Sequence, residues 1–236
     1  MSELPRLYLI TDRRRISGPG LLDALEEAFG AGVRLAALRE RDLPAAELLP
    51  LAERAARLAD ARGARLLVND RLDIALLAGA HGAHLRASSV PVVAARRLLG
   101  PRLLVGASVH SAPEARAASD GGADFVLFGP VFATVEKARY GPPQGLDRLR
   151  AAARASRVPL FAIGGVTPES ARDCLAAGAH GVATIGGILE APSIGRRVAE
   201  YLRAVEGRGR ALRGRAQPGR AKRGRARVGD GDGGES

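Results

Sequence analysis

Two pairs of adjacent glycines follow apolar runs in the second half of the sequence. Gly164-Gly165 follows FAI at 161–163, and Gly186-Gly187 follows ATI at 183–185, which ends in Ile185. A residue without Cβ lets backbone N–H groups come close to an anion, and a helix that begins after such a turn adds its positive end. The two pairs, together with Ile185, therefore predict a binding site for a phosphate group. Tight turns that need a positive φ are the alternative explanation.

Basic side chains follow two other apolar runs. Arg39 ends the run at 33–39 and Arg41 follows it, and Lys137 lies in the long segment 129–146 together with Thr134. Guanidinium and ammonium groups neutralise phosphate oxygens, including those of a departing phosphate. If these side chains converge on one opening, they predict a second anionic group on the ligand.

Further polar side chains stand where apolar runs end: Asn69, Asp70, His84, Ser108 and His110. Asp70 could hold a divalent cation such as Mg²⁺ between its carboxylate and phosphate groups, or it could instead cap the helix that follows in NDRLDIA. The two histidines are either hydrogen-bonding groups that line a pocket or strand-end residues with a purely structural role. The residues leave both pairs of alternatives open.

Eight β-type runs alternate with amphipathic helical segments, at 7–11, 33–39, 65–69, 82–85, 102–108, 124–129, 159–165 and 181–187. Several of the helical segments end in glycine, and a Gly-Ala or Gly-Val pair recurs just before a run. This alternation predicts a parallel sheet, and eight units favour a closed (β/α)8 TIM barrel over an open sheet. In such a barrel the function belongs to the C-terminal strand ends, where all the residues above fall.

The composition predicts a globular domain at 1–206 and a separate tail at 207–236. The chain has 236 residues, 46% hydrophobic and 3% aromatic, and no Trp, so stacking platforms for single-stranded nucleic acid are largely missing. The tail has nine Lys or Arg against three Asp or Glu and so carries +6 of the +11 net charge. We therefore expect the tail to be a disordered basic extension. The alternative is that it makes weak electrostatic contacts with nucleic acid.

The single cysteine, Cys174, lies in a helical pattern. We expect its thiol to be part of the core and not to act as a nucleophile. The sequence offers no apolar stretch long enough to cross a bilayer and no secretory signal, so a cytoplasmic protein without membrane partners is expected.

Six segments in this order resemble the thiamine phosphate synthase and TenI family over about residues 6–200. They are LYLITD, LRERDL, LLVNDRLDIALLAGAHGAHL, VGASVHS, GADFVLFGPVFATVEKARYGPPQGL and PLFAIGGVTPESARDCLAAGAHGVATIGGI. The resemblance implies a (β/α)8 enzyme of thiamine biosynthesis with small phosphorylated pyrimidine and thiazole substrates. It would join a pyrimidine diphosphate to a thiazole phosphate and release pyrophosphate, with Mg²⁺ as cofactor.

The resemblance also implies roles for the site residues. Arg39 would contact the pyrimidine or its phosphates, and Asn69 and Asp70 would hold pyrophosphate and metal. Ser108 and Lys137 would contact pyrophosphate, and Gly165 with the backbone of Ile185-Gly186 would hold the thiazole phosphate.

The sequence departs from the synthase pattern at several positions. Ala37 replaces a glutamine, Ser89 stands where the second metal-binding aspartate is expected, and Glu136 precedes Lys137. Two alternatives therefore stay open beside the synthase, a thiazole tautomerase that uses His84 or His110, and a non-catalytic barrel that binds thiazole phosphate.

Overall fold

The computed structural model describes residues 4–18, 20–133 and 143–206 of the chain. Within these ranges eight parallel strands close into a barrel in sequence order, which confirms the predicted TIM barrel. The strands are β1 Leu7–Ile10, β2 Leu35–Leu38, β3 Arg65–Asn69, β4 Gly82–Leu85, β5 Leu104–Val109, β6 Phe125–Phe128, β7 Leu160–Ala162 and β8 Gly181–Thr184.

Helices cover the barrel on the outside. They are α1 Leu21–Gly30, α2 Ala45–Ala61, α3 Leu72–Leu77, α4 Val92–Leu99, α5 Ala112–Asp120, α6 Gly145–Ala155, α7 Pro168–Ala176, α8 Gly186–Leu189 and α9 Ile194–Glu206, with a short 3-10 helix at Arg13–Arg15 after β1. The predicted Thr134, Glu136 and Lys137 and the tail at 207–236 lie outside the described residues.

Two predicted strands extend too far in the sequence analysis. β7 ends at Ala162 and β8 at Thr184, not at 165 and 187. The first is stopped by Gly164 and Gly165, which both have a positive φ (98° and 64°), and such a φ leaves the extended region. The second is stopped because its glycine pair opens the short helix α8.

One helix-to-strand turn is used repeatedly around the barrel, as the recurring glycine pairs predict. In five of these turns a glycine with a positive φ follows the helix, and the next residue donates its N–H to the carbonyl five residues back. The pairs of donor and acceptor are Val33 to Ala28, Ala64 to Ala59, Ala80 to Ala75, Ala123 to Ala118 and Ala179 to Cys174, after Gly32, Gly63, Gly79, Gly122 and Gly178. These turns lie at the rim formed by the N-terminal ends of the strands, so the longer loops lie at the opposite rim, at the C-terminal ends.

The barrel interior is packed with rings and aliphatic side chains. Tyr8, Phe125 and Phe161 meet edge to face in its centre, and a Cβ at position 106 would lie 2.7 Å from the His84 ring and against Phe125. Side chains alternate along a strand. A side chain two positions after an interior residue therefore points to the inside of the barrel as well, but nearer its C-terminal mouth. Arg39, Asn69 and Ser108 occupy such positions after interior residues of β2, β3 and β5.

The outer core holds Cys174 completely buried, in agreement with the predicted core thiol. Burial raises the pKa of this thiol to about 12, so it stays protonated and unreactive at neutral pH. Among the residues that the structure describes, no helix has the length and apolar character needed to span a membrane.

Candidate functional site

A cavity of about 450 Å³ opens at the C-terminal ends of β7 and β8. All five residues predicted for phosphate binding line it: Gly164, Gly165, Ile185, Gly186 and Gly187. The side chains of Arg15, Thr167, Glu190, Arg197 and Tyr201 complete the wall. The structure thus brings the two glycine pairs together at one concave site of a size suited to a small ligand.

The two pairs are glycine for different reasons. Gly164 and Gly165 have a positive φ, and a Cβ at Gly165 would lie 2.6 Å from the carbonyl oxygen of Ala133. The turn alone therefore accounts for this first pair. Gly186 and Gly187 have no such φ, and a Cβ there would collide with the Arg15 guanidinium and the Tyr201 hydroxyl, respectively. The second pair therefore clears space for two polar side chains at the cavity.

The backbone N–H groups of Gly165, Gly186 and Gly187 make no hydrogen bond to a backbone carbonyl within the described ranges. Gly186 is buried, and a buried N–H group normally has a partner, which can be water or a ligand, whereas Gly165 and Gly187 are exposed to solvent. Because α8 has only four residues, these individual donors rather than a helix dipole are what the turns offer to an anion.

Arg15 is a residue of this cavity that the sequence analysis missed. It lies in the 3-10 helix after β1, and its Nε donates to Glu190 Oε1 at 2.6 Å across the cavity. The sequence signal was the run of three arginines at 13–15, directly after a strand end. The run itself does not reveal which of the three side chains crosses the mouth.

Arg39 lies at the mouth of the barrel on the β2 side. Its backbone N–H donates to Thr11 Oγ1 (2.9 Å), and its Nη1 lies 3.3 Å from Asp12 Oδ2. Burial raises the pKa of the Asp12 carboxyl, but Arg14 and Arg39 together bring it below its ordinary value. Asp12 thus stays ionised and holds the Arg39 guanidinium, which is only 16% exposed.

Glu40 is buried beside this group and ties the loop after β1 to β2. Its carboxylate accepts hydrogen bonds from the Thr11 hydroxyl (2.6 Å) and from the backbone N–H and guanidinium of Arg13 (3.0 and 3.1 Å). Arg41 is exposed and lines a small cavity of about 160 Å³ with Asn69 and Asp70. The structure therefore brings Arg41, Asn69 and Asp70 together.

His84 is fully buried in a chain of hydrogen bonds. Its Nδ1 lies 3.2 Å from the Tyr8 hydroxyl, and its Nε2 lies 2.9 Å from Ser108 Oγ. Desolvation lowers the pKa of His84 to about 4, although the charge of Asp70 raises it slightly. At neutral pH the ring is therefore uncharged, and its contact with Ser108 positions that hydroxyl at the mouth.

His110 is in a different environment. Its side chain is 45% exposed, its backbone N–H donates to Glu114 Oε2 (2.8 Å), and its Nδ1 lies 3.4 Å from the same atom. These contacts place it at the start of α5, together with the capping hydroxyl of Ser111.

Asp70, the predicted metal ligand, has both carboxylate oxygens engaged. Oδ2 accepts from the Arg86 guanidinium, with Nε at 2.8 Å, and Oδ1 accepts from the Ser89 hydroxyl. The alternative that Asp70 caps the next helix is wrong, because Arg71 occupies the cap position of α3 and no side chain caps that helix.

A magnesium ion fits this arrangement poorly. Mg²⁺ requires an octahedral set of oxygen ligands, usually with one or two free carboxylates. The nearby carboxylates are occupied, because Glu40 is bound as described above and Asp73 by Arg71 at 2.5 and 2.9 Å. Within the described residues no group of three or more His, Cys, Asp or Glu could hold a metal.

The chain is similar to known proteins along most of its length. Residues 7–188 match the family described as thiamine monophosphate synthase. The chain is 48% identical to a provisionally named thiamine-phosphate synthase of Geobacter sulfurreducens, over 86% of this chain and 96% of that protein. It is 39% identical to the thiamine-phosphate synthase of Moorella thermoacetica, over 86% of this chain and 97% of that protein.

A solved structure has the same architecture. The thiamine phosphate pyrophosphorylase from Pyrococcus furiosus superposes with a TM-score of 0.78 at 31% identity, over 86% of this chain and 96% of that one.

Proposed function

Since the chain belongs to the thiamine monophosphate synthase family, we propose that its barrel mouth joins a pyrimidine diphosphate to a thiazole phosphate. The observation that carries this proposal is the arrangement of one rim. A cavity whose backbone donors have no carbonyl partner within the described residues lies at β7 and β8, and the polar side chains Arg39, Asn69 and Ser108 stand at the ends of β2, β3 and β5. One anionic substrate can occupy each side.

The proposed reaction exchanges one bond for another. The bond between the pyrimidine methylene carbon and the diphosphate oxygen breaks, and its electron pair leaves with pyrophosphate. The lone pair of the thiazole nitrogen then forms the new carbon–nitrogen bond, so the products are thiamine phosphate and pyrophosphate. No oxidant, reductant or proton transfer to carbon is required.

On the thiazole side, the N–H groups of Gly165, Gly186 and Gly187 would donate to the phosphate oxygens. The Arg15 guanidinium would supply the charge, in a position where Glu190 already orients it. Holding the phosphate fixes the ring, and this raises the effective concentration of its nitrogen at the reacting carbon.

On the pyrimidine side, Arg39 would face the diphosphate while Asp12 keeps its guanidinium in place. Asn69 and Ser108 would donate hydrogen bonds to the oxygens of the leaving group, on which charge develops. Thr134 and Lys137 stay predicted ligands of the same group, as does Arg41 through its place beside Asn69. Asp70 stays the predicted contact of Mg²⁺, but because its oxygens are engaged we assign no step to the metal.

The tautomerase alternative is not favoured. It needs an acid or a base near neutral pH, whereas His84 has a pKa of about 4 and both ring nitrogens engaged. His110 pairs with Glu114 on α5. We expect the protein to work in the cytoplasm.

A two-substrate assay tests this function. The full chain is mixed with hydroxymethylpyrimidine diphosphate and thiazole phosphate, and thiamine phosphate and pyrophosphate are each quantified. We expect both products in equal amounts, and neither when one substrate is omitted. The Arg39→Gln variant should lose most of the rate, whereas Arg116→Gln, which removes an exposed arginine that pairs with Asp120 on α5, should keep it. Absence of thiamine phosphate at high enzyme concentration would contradict the proposal.

A further inference from the structure

The turn after β4 places a fixed cation where Asp70 meets the mouth. Ser89 Oγ accepts the backbone N–H of Arg86 (2.8 Å), and the Ser89 N–H donates to the Arg86 carbonyl (3.0 Å). The Ser89 hydroxyl hydrogen is thereby directed to Asp70 Oδ1. Asp70 itself has a φ of 67°, and its N–H donates to the His84 carbonyl at 2.9 Å. Three residues thus form a closed ring of hydrogen bonds.

The guanidinium in this ring still has donors to offer. A guanidinium carries five N–H groups. In Arg86 the Nε–H and one N–H of Nη2 donate to Asp70 Oδ2. The Arg86 side chain is 42% exposed and lines the small cavity that also holds Arg41 and Asn69. Asp70 is the acceptor of this guanidinium among the described residues, so its remaining N–H groups are available to a ligand at the mouth, in the planar geometry that suits phosphate oxygens.

The charges also balance without a metal. Two carboxylates with one divalent cation sum to zero, and so does one carboxylate with one guanidinium. With serine at position 89 only Asp70 remains, and the Arg86 side chain neutralises it. A divalent cation would have to displace this guanidinium, which is covalently attached and bound to the Asp70 carboxylate.

We propose that the Arg86 guanidinium, held by Asp70, which Ser89 binds in turn, binds the diphosphate group in place of a divalent cation, so that pyrophosphate binding in this protein does not require a metal. This inference rests on the proposed function for its ligand. It concerns Arg86, a basic residue at the end of β4 for which no contact with the ligand was predicted from the sequence.

Calorimetric titration of the full chain with inorganic pyrophosphate tests the inference without turnover. We expect wild-type protein to bind pyrophosphate in the presence of a chelator, with little change when Mg²⁺ replaces the chelator. Arg86→Gln should weaken this binding about tenfold or more, the effect of losing a charge-assisted contact. Arg97→Gln, which removes an exposed arginine from the adjacent helix α4, should leave it unchanged.

A second variant tests the exchange in the opposite direction. Arg86→Gly combined with Ser89→Asp removes the guanidinium and adds a carboxylate, so pyrophosphate binding should now be lost in chelator and restored by Mg²⁺. Circular dichroism checks that this variant is folded. If the double variant fails to fold, the affinity of Arg86→Gln for pyrophosphate in chelator tests the inference by itself.

Several results would overturn the inference. They are wild-type binding that disappears in chelator and returns with Mg²⁺, Arg86→Gln binding equal to wild type in chelator, or no pyrophosphate binding under either condition. The product assay separates this outcome from failure of the proposed function. If thiamine phosphate forms only with Mg²⁺, the proposed function stands and the inference about Arg86 is rejected. If pyrophosphate binds without metal but no product forms, the inference stands and the proposed function is rejected.

Discussion

Single atoms decide what the β7–β8 cavity can hold. At Gly187 the missing Cβ leaves room for the Tyr201 hydroxyl, which donates to the Val166 carbonyl at 2.8 Å and joins α9 to the loop after β7. At Gly186 the missing Cβ leaves room for Arg15. The cavity is therefore shaped by side chains from two distant parts of the chain.

The Gly187→Ala substitution tests this use of space. The new methyl group would contact the Tyr201 hydroxyl and lie 2.5 Å from Thr184 Oγ1, so the turn must shift. We expect the KM for thiazole phosphate to rise about tenfold, while the KM for the pyrimidine diphosphate changes little. Removing the hydroxyl as well, in Gly187→Ala with Tyr201→Phe, should recover part of the loss. Gly18→Ala is the control, since nothing lies within 4 Å of its added Cβ. An unchanged KM in Gly187→Ala would contradict the account.

Arg15 and Glu190 make opposite contributions to the charge of the cavity. Arg15→Gln should weaken thiazole phosphate binding about tenfold, because it removes a cation from the phosphate site. Glu190→Gln should strengthen binding, because it removes a repelling carboxylate and keeps a side chain of the same size. Calorimetric titration with thiazole phosphate gives both dissociation constants. If the two variants change the affinity in the same direction, the phosphate does not lie between them.

At the scale of elements, buried polar groups lock the strand ends that carry the site. The Glu40 carboxylate, with its side chain 1% exposed, accepts hydrogen bonds from three donors in the loop after β1. His84 in β4 links β1 to β5 through Tyr8 and Ser108. These links fix the positions of Arg39 and Ser108 more firmly than strand pairing alone.

Removing the Glu40 carboxylate should destabilise the barrel. Glu40→Ala leaves the Thr11 hydroxyl and the Arg13 N–H without their acceptor in a buried place, which costs roughly 2–4 kcal/mol of unfolding free energy. Glu26→Ala removes an exposed carboxylate that pairs with Arg62 and should cost less than about 1 kcal/mol. Denaturant unfolding measures both changes. Equal losses would show that Glu40 is not a structural link.

The buried His84 ring predicts how stability depends on pH. Its pKa is about 4 in the folded protein, below the ordinary value of 6.5, so the unfolded state binds a proton more readily. The stability linked to His84 is therefore fully present above pH 6.5 and is lost as the pH falls towards 4, by about 3 kcal/mol in total.

Replacing His84 should flatten this dependence. We expect the difference in unfolding free energy between about pH 7 and about pH 4 to be smaller in His84→Asn than in wild type by roughly that amount. His110→Asn is the matched control because its ring is on the surface. Identical pH dependence in wild type and His84→Asn would show that the ring is not buried in its neutral form.

At the scale of the whole molecule, alternation of strands and helices was enough to predict the barrel. Each unit buries one apolar strand and one helix face, and this repeated pattern is local in the sequence. It also indicated which residues lie at the mouth, because all strand ends of one direction meet at one rim.

Contacts between distant side chains could not be read in the same way. Arg15 meets Glu190 across 175 positions, and Arg86 engages Asp70 because the turn at Ser89 directs it there. Such pairs depend on loop geometry and rotamers, which no local pattern encodes. The sequence therefore predicted Asp70 as a metal ligand, whereas the structure gives its oxygens two other partners.

The central claim is that the two glycine turns hold the thiazole phosphate at one side of the mouth. Nuclear magnetic resonance of the protein labelled at its glycine amides, titrated with thiazole phosphate, tests this most directly. The account predicts the largest amide shifts at Gly165, Gly186 and Gly187, with little change at Gly63 and Gly100 in the helix-to-strand turns of the opposite rim. Saturable binding that leaves the first three amides unshifted would contradict it.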